Sequence, residues 1–141
     1  MADKSILEVA KSQIIAYNDK NWGAAKEALA ADMVYDEVAT QRRIKGVEEV
    51  LSAWKGWAKA LPDSKGSFDK ETVSGNTVVI EVTWRGTHTG PLQLPGKDLA
   101  ATGKKIELRA CQVIEVSGAK VQAIRHYYDM ATMLRQLGVM S

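Results

Sequence analysis

A chain of 141 residues, 45% apolar and 26% charged, is long enough to bury one real core and has the composition of an ordinary globular protein. Its 19 basic and 17 acidic residues are scattered, leaving a formal charge of +2 and no Lys/Arg run suited to nucleic-acid phosphates. No apolar stretch approaches the ~20 residues of a membrane helix, MADKSILEVAKSQ lacks the apolar run of a secretory signal, and Cys111 is alone, which excludes an internal disulfide or thiolate zinc site.

The reading is therefore one cytoplasmic domain, residues 1–141, with neither nucleic acid nor membrane as partner. Ser5 and Glu8 have the spacing of a capping box. Behind them Ile6, Leu7, Ala10, Ile14 and Tyr17 recur at helical steps as far as Lys20. Asn21 can cap a shorter helix through Ala30, and MVYDEV, 33–38, reads as a short strand. A third helix follows Gly46, carries Val47, Val50, Leu51, Trp54, Ala58 and Leu61 on one face, and stops at Pro62.

Near Phe68 the period changes to two. Val78, Ile80, Val82 and Trp84 alternate with more polar neighbours, and 106–116 alternate likewise. The turn 117–120 returns the chain as a strand over 121–128, and Asp129 opens a last helix, 130–137, ended by Gly138. Helices followed by a curved antiparallel sheet make an α+β pattern.

Matching apolar pairs across the turn sets Val116 against Val121, Ile114 against Ala123, Gln112 against Arg125 and Ala110 against Tyr127. The face offered to the helices is then apolar, with Gln112, Arg125, Tyr127 and Asp129 set into it. The outer face carries Glu107, Arg109, Cys111, Ile124, His126 and Tyr128. A one-residue slip would exchange the faces of one strand. Several polar groups on a helix-facing sheet surface either satisfy one another or line a cavity.

Three motifs, GTHTGPL (86–92), ATGKKIEL (101–108) and YYDMATMLRQLG (127–138), resemble those of the SnoaL-like polyketide cyclases. The resemblance implies a single cone-shaped α+β barrel of the ketosteroid-isomerase-like, nuclear-transport-factor-like type, with the N-terminal helices packed on the sheet. It also implies that Asp129 is the general acid/base. Asp129 as a simple helix cap is the competing reading. In the family's reaction a methylene between two carbonyls loses a proton, and the enolate closes a ring by aldol attack. That proton is already acidic, so the resemblance calls for neither a cofactor nor a metal.

His88 shares the parity of the inward residues before it, and either orients a substrate carbonyl or bonds its own loop. Gln112, Arg125 and Tyr127 are candidates for substrate oxygens, with Arg125 alternatively paired to a carboxylate. Trp54, Trp57, Trp84 and Tyr17 either wall a cavity for a flat, hydrophobic substrate or fill the core. Asp36 and Glu37 read as exposed loop carboxylates, with the resemblance implying the alternative of polar pocket residues at the end of the first strand. LQLPGKD is a rim over the pocket or a plain hairpin connection. A non-catalytic small-molecule-binding domain of the same fold is the main alternative, followed by an epoxide-hydrolase or isomerase variant. The mixed outer sheet face suits a homodimer.

Overall fold

A computed structural model describes residues 5–94 and 96–140. The first two helices, α1 (Ile6–Asn18) and α2 (Trp22–Ala28), begin at Ser5 and Asn21, whose side chains accept the N–H groups of Glu8 and Ala24. Strand β1 (Leu29–Glu37) leads through a 3-10 turn, Val38–Thr40, into β2 (Arg42–Lys45) and helix α3 (Val47–Ala60). Then come β3 (Lys65–Ser74), β4 (Thr77–Thr87), the small hairpin β5 (Leu92–Leu94) and β6 (Lys97–Leu99), and the long strands β7 (Lys105–Ser117) and β8 (Lys120–Tyr128). Helix α4 (Met130–Gln136) closes the order. No described helix is long and apolar enough to cross a membrane.

Six strands form one sheet in the order β2-β1-β8-β7-β4-β3. It is mixed rather than wholly antiparallel, because β1 runs parallel to β8, with Tyr35 opposite Ile124 and Glu37 opposite His126. The chain crosses the whole sheet between these two strands, a pairing that alternation within either strand does not specify. The first three helices bury their stripes on its inner face. Ile14, Met33, Val50, Ile80, Ile114 and Ile124 are fully enclosed, each contributing about 1.5–3 kcal/mol of hydrophobic stabilisation. A second apolar cluster joins Leu61, Leu92, Leu99, Ile106, Met133 and Leu137 under the β5–β6 hairpin. Strands β5 and β6 are thus paired antiparallel and packed on the end of α3. Gly90 makes that approach possible: a Cβ there would stand 2.1 Å from the Lys59 carbonyl oxygen.

The β7–β8 register corrects the pairing expected from the sequence. Val116 does face Val121, but a bulge follows. Glu115 pairs with Ala123, Ile114 with Ile124, Gln112 with His126 and Ala110 with Tyr128. Gln122 is the extra residue, and its amide donates to Asp32 across the sheet surface (3.0 Å). One inserted residue inverts every later side chain of a strand. His126 and Tyr128 therefore point inward, and Arg125 and Tyr127 point outward. Arg125 pairs with Glu115 at 3.3 Å, and Tyr127 is 42% exposed. Ile124, expected on the outer face, is fully buried.

Candidate functional site

Between the inner sheet face and helices α1, α3 and α4 lies a cavity of about 80 Å³. Tyr17, Trp54, Trp57, Trp84, Leu108 and Met133 supply much of its wall. The tryptophans come from one stripe of α3 and from the inward parity of β4. Tyr35 stacks edge-on to Trp54, as Tyr17 does to Trp84. Gln112, on the inward parity of β7, accepts a 2.7 Å hydrogen bond from Gln13, which also donates to the Ala10 carbonyl. Tyr17 shares a 2.7 Å hydrogen bond with Ser64, and burial pushes its phenol up to about 12.

The opposite wall holds a connected polar chain. Glu37 is 1% exposed, the inward continuation of Met33 and Tyr35 along β1. Its Oε1 accepts from the Arg42 guanidinium (Nη2 2.6 Å, Nε 3.0 Å) and the Thr40 hydroxyl. Its Oε2 accepts from the Trp57 indole (2.8 Å) and the Tyr35 hydroxyl (3.3 Å). A buried carboxylate is tolerable only with such donors, and here the 3-10 turn brings Thr40 and Arg42 back onto it.

Tyr35 Oη also meets His126 Nδ1 at 2.8 Å, and the Trp84 indole N–H donates to His126 Nε2 at 3.2 Å. An indole can only donate, so Nε2 is the acceptor and the proton of the neutral ring sits on Nδ1. Burial drives the imidazole pKa down to about 4, against a smaller opposing pull from Glu37. Beside it the Tyr128 hydroxyl is buried near the Glu37 carboxylate, yet not placed for a hydrogen bond to it or to any other described group. Burial raises its pKa far above the ordinary value, so it stays a donor.

The residues singled out from sequence divide among this cavity, the surface and the buried side of the loop after β4. Gln112, Trp54, Trp84 and Tyr17 line the cavity. Arg125 and Tyr127 lie on the outer face, for the reason of register given above. Asp129 is exposed and caps α4, accepting from the Ala131 N–H at 3.0 Å and the Thr132 hydroxyl at 2.7 Å. The Thr132 bond heads the causes that lower its pKa, opposite to the rise that an apolar pocket gives a carboxylate.

His88 lies past the end of β4 and bonds its own loop. Its Nδ1 faces the Thr102 hydroxyl (3.0 Å) and accepts the Thr102 N–H (3.2 Å). Its Nε2 is buried without a hydrogen bond among the described residues, and burial lowers the ring's pKa. Glu37, expected as an exposed loop carboxylate, is the most connected polar group of the site. The inward parity of Met33, Tyr35 and Glu37 was the available signal. No group of three His, Cys, Asp or Glu among the described residues is placed to hold a metal ion.

The family model of the SnoaL-like polyketide cyclases matches residues 8–137. The chain belongs to the SnoaL-like polyketide cyclase family. No protein with a curated description matches the sequence. Solved structures similar to this member include IdmH from Streptomyces antibioticus, provisionally a polyketide cyclase. It is 22% identical, with a TM-score of 0.81, over 96% of this chain and 100% of that one. AclR from Streptomyces galilaeus, provisionally a hydroxylase, is 17% identical with a TM-score of 0.80, over 96% and 86%. A protein with a ketosteroid-isomerase-like fold from Catenulispora acidiphila, solved with trimethylamine, is 21% identical with a TM-score of 0.75, over 94% and 93%. At these identities the likeness establishes the cone-shaped α+β fold and leaves the reaction to be argued from the site.

Proposed function

We propose that this family member is an acid/base enzyme for a hydrophobic, activated carbonyl compound, and that His126, rather than Asp129, moves the proton. One observation carries the reading. A buried hydroxyl without a hydrogen-bond partner among the described residues, that of Tyr128, stands beside a neutral imidazole on the wall of an apolar cavity. An unpaired buried hydroxyl costs about 1–3 kcal/mol, which a ligand oxygen in the cavity would offset. Tyr128 would donate to the substrate carbonyl, and His126 Nε2 would take the proton from the adjacent carbon. The same hydroxyl then stabilises the enolate oxygen while the carbanion attacks a second carbonyl in the molecule. Positioning and preorganised donors supply most of the rate.

At about 80 Å³ the cavity holds a few waters but no ring-bearing ligand, whose pockets run to several hundred Å³. Admission of substrate requires the wall to yield. Helix α4, seven residues long, contributes Met133 to that wall. Its C-terminal end is held to β7 by Gln136, which accepts from the Glu107 N–H and donates to the Glu107 carbonyl, both at 2.9 Å.

The test is keto–enol interconversion of benzoylacetone, an aryl β-diketone, followed by ultraviolet absorbance. His126→Asn should lose roughly 10²–10⁴-fold in rate, the usual worth of a general base. Asp129→Asn, which still caps α4, should stay within about twofold. Equal losses in both variants, or none in His126→Asn, would reject the assignment. Binding of the diketone without turnover would favour a ligand-binding domain.

We also propose that two copies associate through the outer sheet face. There Val79, Val113 and Tyr127 are interleaved with Glu81 and Arg109, charges that form no ion pair among the described residues. A two-fold axis would set each of these against its opposite on the partner.

A further inference from the structure

We propose that Tyr35 and Glu37 form, with His126, a proton relay leading from the cavity to the Glu37 carboxylate, whose partner Arg42 faces water. The inference rests on the reading of His126 as the proton-moving group and extends it to residues that need not touch substrate.

The direction of every hydrogen in the chain follows from chemistry. Trp84 Nε1–H occupies Nε2 of His126, so the ring proton lies on Nδ1 and points at Tyr35 Oη. Tyr35 has one hydrogen left to give, and Glu37 Oε2 is there to accept it. Glu37 is acceptor-only while ionised. Its far oxygen is held by Arg42, whose side chain is 32% exposed, in contrast to 1% for Glu37. The chain therefore starts in an apolar cavity, runs one way, and ends at a carboxylate whose partner reaches solvent. A purely structural anchor for His126 would need only one acceptor at Nδ1. Here the acceptor is itself a donor to a buried anion.

The step balances without any added reagent. The substrate C–H bond breaks, its electron pair stays on carbon as the enolate, and the proton bonds to His126 Nε2 as Trp84 yields. The Nδ1–H bond breaks toward Tyr35 Oη while the Tyr35 O–H bond breaks toward Glu37 Oε2. The ring ends neutral in its other tautomer, Tyr35 ends neutral, and Glu37 ends protonated. The negative charge has passed from Glu37 to the enolate. Reversing the relay protonates the alkoxide formed by ring closure.

A first experiment needs no substrate. In nitrogen-15-labelled protein, the wild-type His126 should show a protonated Nδ1 and a bare Nε2. Its Nδ1–H should exchange with water through the relay, so Tyr35→Phe and Glu37→Gln should each slow that exchange by about tenfold or more. A structural role alone predicts the opposite sign, because loosened packing lets water in and speeds exchange. Unchanged or faster exchange in a folded variant, or a proton resident on Nε2, overturns the relay. Should Tyr35→Phe fail to fold, the near-isosteric Glu37→Gln decides alone.

A second experiment uses benzoylacetone in H2O–D2O mixtures. A relay moves more than one proton, so the wild-type rate should bow against deuterium fraction, while the two variants fall roughly 10–100-fold and give straight lines. A straight wild-type line with variants within threefold also overturns the relay. Loss of activity in these variants but not in His126→Asn would instead reject the assignment of His126.

Discussion

Replacing Glu37 offers a graded probe of the buried polar chain. In Glu37→Gln the amide oxygen can stay on the rigid Trp57 indole N–H, which has no water to turn to. The NH2 group then confronts Arg42, formerly bound at 2.6 and 3.0 Å. Hydrogen bonds to charged groups contribute about 1.5–3 kcal/mol. Arg42 is 32% exposed and recovers part of this by hydration, so the net loss should be about 2 kcal/mol, or roughly 6–8 °C in Tm at this chain length. Glu37→Leu removes both acceptor oxygens and strands the Trp57 donor, which should raise the loss to about 4 kcal/mol. Adding Trp57→Phe to Glu37→Leu deletes the stranded N–H and should return about 1 kcal/mol beyond additivity. Urea unfolding at pH 7, followed by tryptophan fluorescence, measures all three. Glu115→Gln is the control, since its pair with Arg125 is surface-exposed and worth under about 1 kcal/mol. If Glu37→Leu unfolds within about 1 kcal/mol of wild type, Glu37 is not the hub that these distances describe.

Tyr128→Phe should stabilise the protein by up to about 1 kcal/mol in the same urea assay, because it removes an unpaired buried hydroxyl; benzoylacetone turnover should fall at least tenfold. Burial depresses the His126 pKa from 6.5 to about 4, so between these values the unfolded chain binds a proton that the folded one refuses. Stability is complete above pH 6.5 and falls as pH drops toward 4, by on the order of 3 kcal/mol relative to His126→Gln in parallel urea titrations; parallel pH profiles for the two proteins would refute it. Sedimentation at micromolar concentration should give a dimer for wild type and a monomer for Tyr127→Glu, and a monomeric wild type would reject the outer-face association.

Much of the fold is legible in the sequence because the signals are local. Ser5 and Asn21 announce their helices, Val78–Trp84 and Ile106–Val116 alternate cleanly, and the turn at 117–120 fixes its own neighbours. The misreadings come where one residue or one distant partner decides. Nothing in AKVQAIRHYY marks Gln122 as a bulge, and apolar matching accepted Ala123 where Ile124 belongs, since both are compatible with a core face. Strand β3 is polar on most of its length, as a sheet-edge strand tolerates, and so carries little periodic signal. The parallel pairing of β1 with β8 joins segments some ninety residues apart, beyond the reach of any window. Glu37 suffers most from this. A carboxylate is read as exposed until its donors are counted, and those donors meet only when β1, the 3-10 turn and α3 have assembled.

The bulge at Gln122 makes β8 a strand with two alternative interiors written in one sequence. Its odd and even positions beyond the bulge carry different chemistries: Ala123, Arg125 and Tyr127 on one side, Ile124, His126 and Tyr128 on the other. Drawing Gln122 into the ladder opposite Glu115, with no residue added or removed, would turn the first set toward the cavity and expel the second, exchanging an imidazole for a guanidinium without a single substitution. In a fold that hosts many reactions, opening or closing a bulge at a constant number of residues would change pocket chemistry in one step, where substitution would need several.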